Sequence, residues 1–425
     1  MFSDWLKEGF LLAAQLDLKS AFNLFWPLFL FDLPRFFLST LAVGLTWALV
    51  PQKPAPSRIN EPVSVLLVGH NEGDRLAESI HTLHRQTQNN LQIVVVDDGS
   101  TDNMRAVARE LKRNGLIHDY ISTDLRGGKA AALNLGFSLC RHEGVVSCDI
   151  DTSFDDDAIE RIVARLLSDP DIGAVSGNIA ARNARENLIT RFQAIEYFDN
   201  ISLGRQFLDY MGWLMIVSGA FGAFRRSAIQ RVGGWDVGPG DDSNLTIKLR
   251  RAGWKVAFAE DAWCLTNVPN SDQGLIRQRI RWDRSLIRNR FRKFRTVFDP
   301  TSRQFRWRDI MASVNALFFN VLLPFSYAVY LPYVIIFFPS LVVPVFLFLW
   351  CVYTILSAFT MFTCVLVTPR RGMHRLWIYL PGYSLYASYF LRGIRIVACF
   401  TELAFRSSYN DSFYPTKVRR SVEQW

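Results

Sequence analysis

The chain has 425 residues, of which half are hydrophobic and one fifth are charged, and its formal net charge is +9. The charged fraction is too high for a protein made of membrane helices alone, and 33 phenylalanines are unusual for a soluble enzyme. The apolar residues concentrate in the first fifty positions and in the last hundred or so, whereas the middle has the pattern of a soluble domain. We therefore expect a globular domain of about 200–250 residues held between membrane segments.

The positive charge favours a membrane surface over nucleic acid as a partner. Its excess lies between Arg277 and Arg308, next to the apolar C-terminal region. Basic residues beside membrane segments usually mark the cytoplasmic side of a bilayer. Outside that stretch, basic and aromatic residues do not clearly alternate as they do in single-strand binders. The six cysteines form no CxxC pair, which fits a reducing compartment without disulfides or structural zinc.

The N-terminal apolar region predicts a membrane anchor. Phe36–Val50 carries no charge but is short for a span, so we expect one span that borrows residues from Phe25–Leu33, with two spans as the alternative. The segment before it predicts an amphipathic helix in the interface. A stiff linker should follow, because prolines recur at Pro51, Pro54, Pro56 and Pro62.

From Val63 onwards, short aliphatic runs alternate with helical patterns. The predicted strands are Val63–Val68, Ile93–Val96, 117–121 and 144–148, and the predicted helices run up to Gln86, over 102–113 and over 129–140. Such alternation predicts a parallel, doubly wound sheet. Because ligands of such sheets bind beyond the carboxyl ends of the strands, the polar clusters that end strands are the candidate sites.

The C-terminal region contains three apolar segments. Ser313–Phe338 and Leu341–Val367 are each long enough to cross a bilayer. Leu376–Leu403 includes Arg392 and Arg395, which would be expensive in lipid, so we expect them to face a protein-lined or watery path. If the first two segments both cross the membrane, the basic stretch before them and the basic stretch after them lie on the same side of it.

Two of the strand ends carry paired acids. Asp97 and Asp98 precede Gly99, where carboxylates can accept hydrogen bonds from a ribose or a uracil NH; a plain Asx turn is the alternative. Asp149 and Asp151 follow the strand that ends at Cys148. Residues two apart in an extended segment point the same way, so these two carboxylates can share Mg²⁺ or Mn²⁺. Triplets of this kind also occur by chance.

Two later clusters complete the candidate chemistry. Asp242, beside Asp241, could act as a general base, although an aspartate before a helical run is also ordinary N-cap chemistry. In Gln278-Arg279-Ile280-Arg281-Trp282, an arginine can clamp a diphosphate and a tryptophan face can support a sugar ring. A basic amphipathic helix at the membrane interface is the alternative for this segment.

Taken in order, these four motifs resemble those of the processive family 2 glycosyltransferases, which include cellulose, chitin-oligosaccharide, poly-N-acetylglucosamine and hyaluronan synthases. The likeness covers about residues 60–295, and the flanking membrane segments match the same architecture. It implies an α/β fold of GT-A type inserted between transmembrane and interfacial helices. The implied parts are an N-terminal interfacial and transmembrane segment (1–56), a cytoplasmic catalytic domain (57–295) and helices that form a product channel (296–425).

The resemblance also implies roles for individual residues. The donor site would comprise Asp97, Asp98, Lys129, Asp149 and Arg281, and the metal, Mg²⁺ or Mn²⁺, would lie on Asp149 and Asp151. Asp242 would be the catalytic base, while Trp282 and Gly219, within Ser218–Gly222, would contact the acceptor. The sequence departs from the family pattern at two places. The first-strand motif reads Val68-Gly69-His70-Asn71-Glu72, and Asp241 replaces the usual glutamate, so the motifs do not identify the donor sugar.

The function implied is an inverting, processive transfer from a nucleotide-sugar, with a UDP-sugar expected, into an exported β-linked polysaccharide. The alternatives are a non-processive membrane enzyme that modifies a lipid acceptor and a subunit that binds donor without turnover; intact acids in every motif argue against the second. The implied protein is a multi-pass plasma (inner) membrane protein with its catalytic domain in the cytoplasm. Its partners would be the donor, the growing glycan and the bilayer, with no nucleic acid and with room for export or regulatory proteins.

Overall fold

The structure, a computed structural model, describes residues 7, 11–12, 14–50, 61–302 and 304–422. Three prolines of the predicted linker, Pro51, Pro54 and Pro56, lie outside the described residues, as does the predicted domain boundary between 56 and 57.

Eight strands of the described chain form one mixed sheet in the order β3-β2-β1-β4-β7-β6-β8-β5. The strands are β1 Val63–Gly69, β2 Leu91–Asp97, β3 Asp119–Ser122, β4 Gly144–Asp149, β5 Ser153–Phe154, β6 Ile172–Ala181, β7 Phe221–Arg225 and β8 Lys255–Thr266. The first four strands pair in parallel, as predicted. The sheet as a whole is not parallel, because β7 runs antiparallel between β4 and β6, and β5 is antiparallel to β8.

The helices of this domain connect the strands and cover both faces of the sheet. They are α3 Gly73–His84, α4 Met104–Arg113, α5 Lys129–Phe137, α6 Ala158–Leu167, α7 Leu188–Glu196, α8 Gly204–Tyr210, α9 Arg226–Arg231, α10 Asp241–Arg251 and α11 Asp272–Ile287. A π-helical segment, Tyr197–Leu203, joins α7 to α8, and another, Arg288–Lys293, extends α11. The first three helices of this domain match the predicted ones to within a few residues.

The buried strands are continuously aliphatic because both faces of the sheet are covered. In β1, Val65 and Leu67 belong to one apolar cluster, whereas Leu66 and Val68 belong to the other. This alternation follows from the two-residue period of a strand. It fixes the register of β1, so the residues that follow the strand emerge at a defined edge of the sheet.

Three helices in the described part of the chain are long and apolar enough to cross a membrane: α2 Leu28–Leu49, α12 Trp307–Phe337 and α13 Pro339–Val367. The first is preceded by a short helix, α1 Leu18–Leu24. Helix α2 starts before Phe36, as the predicted borrowing of earlier residues requires. The length and composition of these three helices indicate a membrane protein.

The third C-terminal apolar segment is broken into short pieces. These are the 3₁₀ helix Met373–Tyr379, α14 Leu380–Leu385, the π-helical Tyr386–Phe390 and α15 Leu391–Phe405; α16 Thr416–Ser421 follows them. Helix α15 packs against α11 of the domain that contains the sheet. Arg392 ion-pairs with Asp32 of α2, and Arg395 lies 3.1 Å from Asp283. The arginines of this segment therefore face protein, as expected.

Candidate active site

A cavity of about 890 Å³ lies at the carboxyl ends of β1 and β4 and continues towards the membrane helices. Most of the predicted site residues line it together: Asp98, Lys129, Asp149, Asp151, Gly219, Asp242, Arg281 and Trp282. They are up to 184 positions apart in the sequence, and Arg281 and Trp282 lie within α11. Asp98, Asp149 and Asp151 lie at strand ends, which is where the topology predicts a ligand, and Lys129 and Asp242 lie in the first turns of helices.

Asp97 is the predicted site residue that does not line the cavity. Its side chain is fully buried, and its carboxylate accepts hydrogen bonds from the Ser100 amide and the Ser122 hydroxyl, both at 2.8 Å. The bond to Ser100 is the Asx-type turn considered as the alternative. A donor contact of the Asp97 carboxylate therefore stays a prediction, and in the structure this group stabilises the turn that presents Asp98.

Asp98 fixes the start of helix α5. Its two carboxylate oxygens accept hydrogen bonds from the amides of Gly127 and Gly128, at 2.7 and 2.8 Å. Gly128 has a φ of +88°, a conformation that side chains disfavour. The next residue is Lys129, whose ammonium group ion-pairs with Asp149. The acid thus holds the turn from which the lysine reaches the carboxyl end of β4.

The charges of Lys129, Asp149 and Asp151 act on the carboxyl group of Glu72, so these groups lie near one another. Burial raises the pKa of Asp151, and the charge of Asp149 raises it further. Burial also raises the pKa of Glu72 to about 7, with Asp151 and Asp149 adding to the effect. Glu72 was read in the sequence only as part of the first-strand motif, but its Oε2 atom is buried without a hydrogen-bond partner in the described structure.

These acids fit a divalent cation that is shared with a ligand. Carboxylate oxygens are the donors that Mg²⁺ and Mn²⁺ prefer, and a cation would relieve the repulsion between Asp149 and Asp151 and satisfy the free oxygen of Glu72. Among the described residues, no group of three or more His, Cys, Asp or Glu side chains is placed to hold a metal ion by itself. Oxygens of water or of a bound ligand would have to complete the shell.

Asp242 lies in the first turn of α10. The N-cap of this helix is Gly240, with a φ of +69°, so the alternative of Asp241 as the cap residue is wrong. Burial raises the pKa of Asp242 to about 6, and the adjacent charge of Asp241 contributes. Its carboxylate accepts a 2.7 Å hydrogen bond from the Ser243 amide. A carboxylate with a pKa of about 6 is still ionised at neutral pH and is a better proton acceptor than an ordinary aspartate.

Helix α11 presents Trp282 to the cavity with 41% of the residue exposed, which leaves a ring face for a ligand. The Arg279 guanidinium lies 4.3 Å from the centre of that ring. Glu196 holds Arg279 through an ion pair of 2.9 Å and also accepts a hydrogen bond from the Tyr386 hydroxyl at 2.9 Å. Sequence reasoning missed Arg279 and Glu196 as supports for this ring, because their pairing joins distant parts of the chain.

The C-terminal segment after α15 also reaches the cavity. Phe413, Tyr414 and Pro415 line it. Two guanidinium groups lie near the Phe413 ring, that of Arg281 at 3.8 Å and that of Arg126 at 5.9 Å from its centre. Sequence reasoning missed this segment, because it follows the last apolar stretch and matches none of the four motifs.

Residues 64–233 match the family described as Glycosyl transferase family 2. Two similar proteins are the poly-beta-1,6-N-acetyl-D-glucosamine synthases of Staphylococcus epidermidis and of Staphylococcus aureus (strain MSSA476). Each is 32% identical over 225 residues, which cover 52% of this chain and 54% of the relative. The chain thus spans about half the length of these relatives.

A solved structure similar to this chain is the mannosyltransferase PcManGT from Pyrobaculum calidifontis, in complex with GDP-Man and Mn²⁺. The TM-score is 0.59 at 21% sequence identity, and the match covers 90% of this chain and 99% of that one. At this identity the likeness concerns the fold, which it extends beyond the sheet to the flanking helices. The chain therefore carries a glycosyltransferase family 2 domain with a GT-A fold.

Proposed function

We propose that this protein is an inverting, processive glycosyltransferase that polymerises sugar from a UDP-sugar donor into an exported β-linked polysaccharide. The observation that carries the proposal is one cavity in which Asp242, the acids Asp149 and Asp151, Lys129 and Trp282 come together. The names of the staphylococcal relatives support a poly-N-acetylglucosamine product, for which UDP-N-acetylglucosamine is the first donor to test.

The transfer would be a single displacement. The Asp242 carboxylate accepts the proton of an acceptor hydroxyl while that oxygen forms a bond to the anomeric carbon of the donor sugar. The bond from the anomeric carbon to the diphosphate breaks on the opposite face, so the configuration inverts. Lys129 and Arg281 would hold the departing nucleotide diphosphate, and Trp282 would stack on the acceptor ring.

Asp149 and Asp151 would hold Mg²⁺ or Mn²⁺, with Glu72 beside them. Such a cation, when bound, neutralises charge on the diphosphate. The carboxylates would otherwise repel the donor, since three acids face the place where its phosphates would lie.

We further propose a multi-pass arrangement in the plasma (inner) membrane, with residues 57–295 as the cytoplasmic catalytic domain and helices from residues 296–425 lining the product path. The basic stretches on either side of α12 and α13 support this orientation. Of the two arginines expected to line the path, Arg395 does line the cavity. Arg392 does not, because its guanidinium is used to pair with Asp32.

The test is an Asp242→Asn variant, with Asp124→Asn as a matched control on an exposed acid. Membranes containing each full-length protein are incubated with radiolabelled UDP-N-acetylglucosamine, UDP-glucose or GDP-mannose and with Mn²⁺ or Mg²⁺, and the products are sized. We expect Asp242→Asn to lose about 10²–10⁴-fold in rate while the control keeps the wild-type rate. Full turnover by a folded Asp242→Asn protein would remove the proposed base.

The size of the product separates the proposal from its nearest alternative. Because the cavity continues to residues of α2 and α12, an acceptor attached to a lipid could also reach Asp242. Transfer of one sugar to a lipid would give a product that partitions into organic solvent, whereas processive transfer gives long chains that do not. One-sugar products with every donor would overturn the processive assignment.

A further inference from the structure

An ion pair is buried among the apolar helices. Asp32 of α2 is fully buried and pairs with Arg392 of α15. The same carboxylate accepts hydrogen bonds from the hydroxyl of Tyr327 on α12 at 2.9 Å and from that of Tyr353 on α13 at 2.7 Å. These four residues, the Asp32 network, join the three helices long enough to cross a membrane to α15. Ionisable residues within membrane segments are costly and usually mark a substrate or ion pathway.

The Asp32 network lies next to the end of the cavity that continues towards the membrane helices. At that end the cavity wall includes residues of the same helices α2, α12 and α15: Pro34, Arg35, Phe319, Asn320 and Arg395. Arg35 donates a 2.9 Å hydrogen bond to the Phe319 carbonyl, so α2 and α12 meet there. The charges of Asp32 and Arg392 act on the Arg35 guanidinium, so the network is close to this wall.

The direction of α12 places the network beyond the cavity. This helix begins beside the domain that contains the sheet, where Asp309 pairs with Arg250. Phe319, in the cavity wall, comes next along the helix, and Tyr327 follows it by eight residues, or roughly 12 Å at 1.5 Å per residue. A glycan that left the cavity along α12 would therefore meet the Asp32 network next.

Polar atoms beside the network have no hydrogen-bond partner among the described residues. They are the Nη1 atom of Arg392 and the hydroxyls of Tyr330 and Tyr389, all buried. The Tyr330 ring centre lies 5.7 Å from that of Tyr327, and the charge of Arg392 acts on the Tyr389 hydroxyl. Buried polar groups are costly without partners, particularly at membrane depth. The hydroxyls of a passing sugar chain, which both donate and accept hydrogen bonds, are suitable partners.

The helices around the network are irregular at this level. Helix α2 is π-helical over Leu28–Leu38 and α12 over Phe318–Leu322, and the π-helical Tyr386–Phe390 precedes α15 directly. Asp32 lies within the first of these segments, and Arg392 follows the third by two residues. Such π-helical turns are rare, are frequent at functional sites, and are places where helices kink. The two charged partners thus lie where their helices can change shape.

We propose that the Asp32 network is a gate in the product path, which is closed in this structure and opens when Arg392 separates from Asp32. The inference rests on the proposed function, since it concerns export of the product of the same reaction. Opening would expose the charged groups and the tyrosine hydroxyls to the path, where sugar hydroxyls would replace the contacts that are lost. A buried pair is weak evidence for a permanent clamp, because apolar residues of similar volume often stabilise a protein as well or better.

The experiment measures leakage of radiolabelled N-acetylglucosamine from liposomes that contain the purified full-length protein, first without a donor. The variant Asp32→Asn/Arg392→Gln removes both charges, so that neither is left buried and unpaired. The variant Tyr327→Phe/Tyr353→Phe keeps the ion pair and removes two hydroxyls, and it serves if the first variant does not fold. We expect the wild type to retain the sugar and the charge variant to lose it about tenfold faster or more, because the closed state loses contacts that favour it. The tyrosine variant should show a smaller increase.

The matched control is Thr354→Val. It removes a 3.0 Å hydroxyl contact with Ser384, which joins α13 to α14 and lies outside the Asp32 network. The control should retain the sugar as the wild type does. Wild-type retention by both gate variants, in protein shown to be folded, would overturn the gate and leave the network as a permanent clamp. Leakage through Thr354→Val as fast as through the gate variants would also overturn it, since any loosening of the helices would then suffice.

A second measurement tests whether the leak uses the product path. Donor and Mn²⁺ are added to the same liposomes, and a growing glycan should fill the opened path, so leakage through the charge variant should slow during synthesis. A leak that synthesis does not slow would place the opened route elsewhere and overturn the proposal. If the wild type makes no product with any donor tested, the proposed function fails instead, and the first measurement still decides whether the network closes a route between the helices.

Discussion

Replacement of Gly219 by alanine tests the placement of Lys129 without touching its charge. A Cβ atom on Gly219 would lie 2.8 Å from the Lys129 Nζ atom, closer than real contacts of this kind allow. The atom it meets is the end of a flexible side chain, so we expect the lysine to move and the backbone to stay. The ammonium group then leaves Asp149 and the position from which it would meet a diphosphate.

The structure separates the effect on stability from the effect on donor binding. The side chains of Lys129 and Asp149 are 35% and 34% exposed, so their ion pair contributes less than about 1 kcal/mol to folding. The melting temperature should therefore fall by no more than about 2–4 °C. Loss of a hydrogen bond between the ammonium group and a phosphate costs about 1.5–3 kcal/mol, which raises the KM for the donor about 10–100-fold.

The assay compares initial rates over a range of donor concentrations with thermal unfolding of the same preparations. Gly393→Ala is the matched control, because nothing lies within 4 Å of the Cβ atom it would add. A normal donor KM in a folded Gly219→Ala protein would refute the reasoning, since the lysine would then not be needed where the structure places it. A drop of many degrees in melting temperature would also refute it, because the backbone would then have moved.

Three further predictions concern the proposed base, the proposed acceptor platform and the proposed cation. Because the base works when deprotonated and burial with Asp241 raises the pKa of Asp242 to about 6, kcat/KM should fall tenfold per pH unit below about pH 6. Glu196→Gln leaves the buried charge of Arg279 without its partner, so it should destabilise the protein by about 3–5 kcal/mol and raise the acceptor KM through Trp282. Removal of divalent cations with a chelator should abolish transfer, and added Mn²⁺ or Mg²⁺ should restore it.

Each of these predictions has a result that would contradict it. A rate that does not change between pH 5 and pH 7, in a protein shown to stay folded, would exclude a base with the predicted pKa. Glu186→Gln, on an exposed acid, is the control for Glu196→Gln; an unchanged acceptor KM in the latter would mean that Arg279 does not position the tryptophan. Full transfer in the presence of a chelator would remove the cation from the reaction.

The parts of the fold that the sequence predicted are those governed by local pattern. Strands β1 and β2 are continuous aliphatic runs, and each ends in polar residues at the edge where ligands bind. Asp98 and Asp149 follow from this pattern, Asp242 was predicted from its motif before a helix, and all three line one cavity. The second half of the sheet was not predicted. Strand β7 pairs antiparallel with β4 and β6, and a long connection that contains α7 and α8 precedes it.

What the sequence left open depends on which neighbours a side chain meets. Asp97 and Asp98 are adjacent and chemically identical, yet the period of a strand sends them to opposite sides, one to an internal turn and the other to the cavity wall. Arg279 is one of several arginines in a basic helix. Only the fold shows that Glu196, 83 positions earlier in the chain, is its ion-pair partner.

Helix α11, which carries the candidate donor contact Arg281 and the candidate acceptor contact Trp282, is held to the C-terminal helix α15 by polar contacts. Helix α11 and its π-helical extension make three polar contacts with α15: Arg395 with Asp283 at 3.1 Å, Arg284 with Thr401 at 2.9 Å, and Arg292 with Glu402 at 2.9 Å. Charged residues such as Arg395 make Leu376–Leu403 costly to expose to lipid. In the structure Arg395 contacts α11 instead. The start of α10, which carries Asp242, is held to the same unit, because Asn289 of the π-helical extension donates hydrogen bonds to the Gly240 carbonyl at 2.9 Å and to the Ser243 hydroxyl at 2.6 Å. The proposed base Asp242 and the proposed acceptor contact Trp282 are therefore both held to the unit that α11 forms with α15.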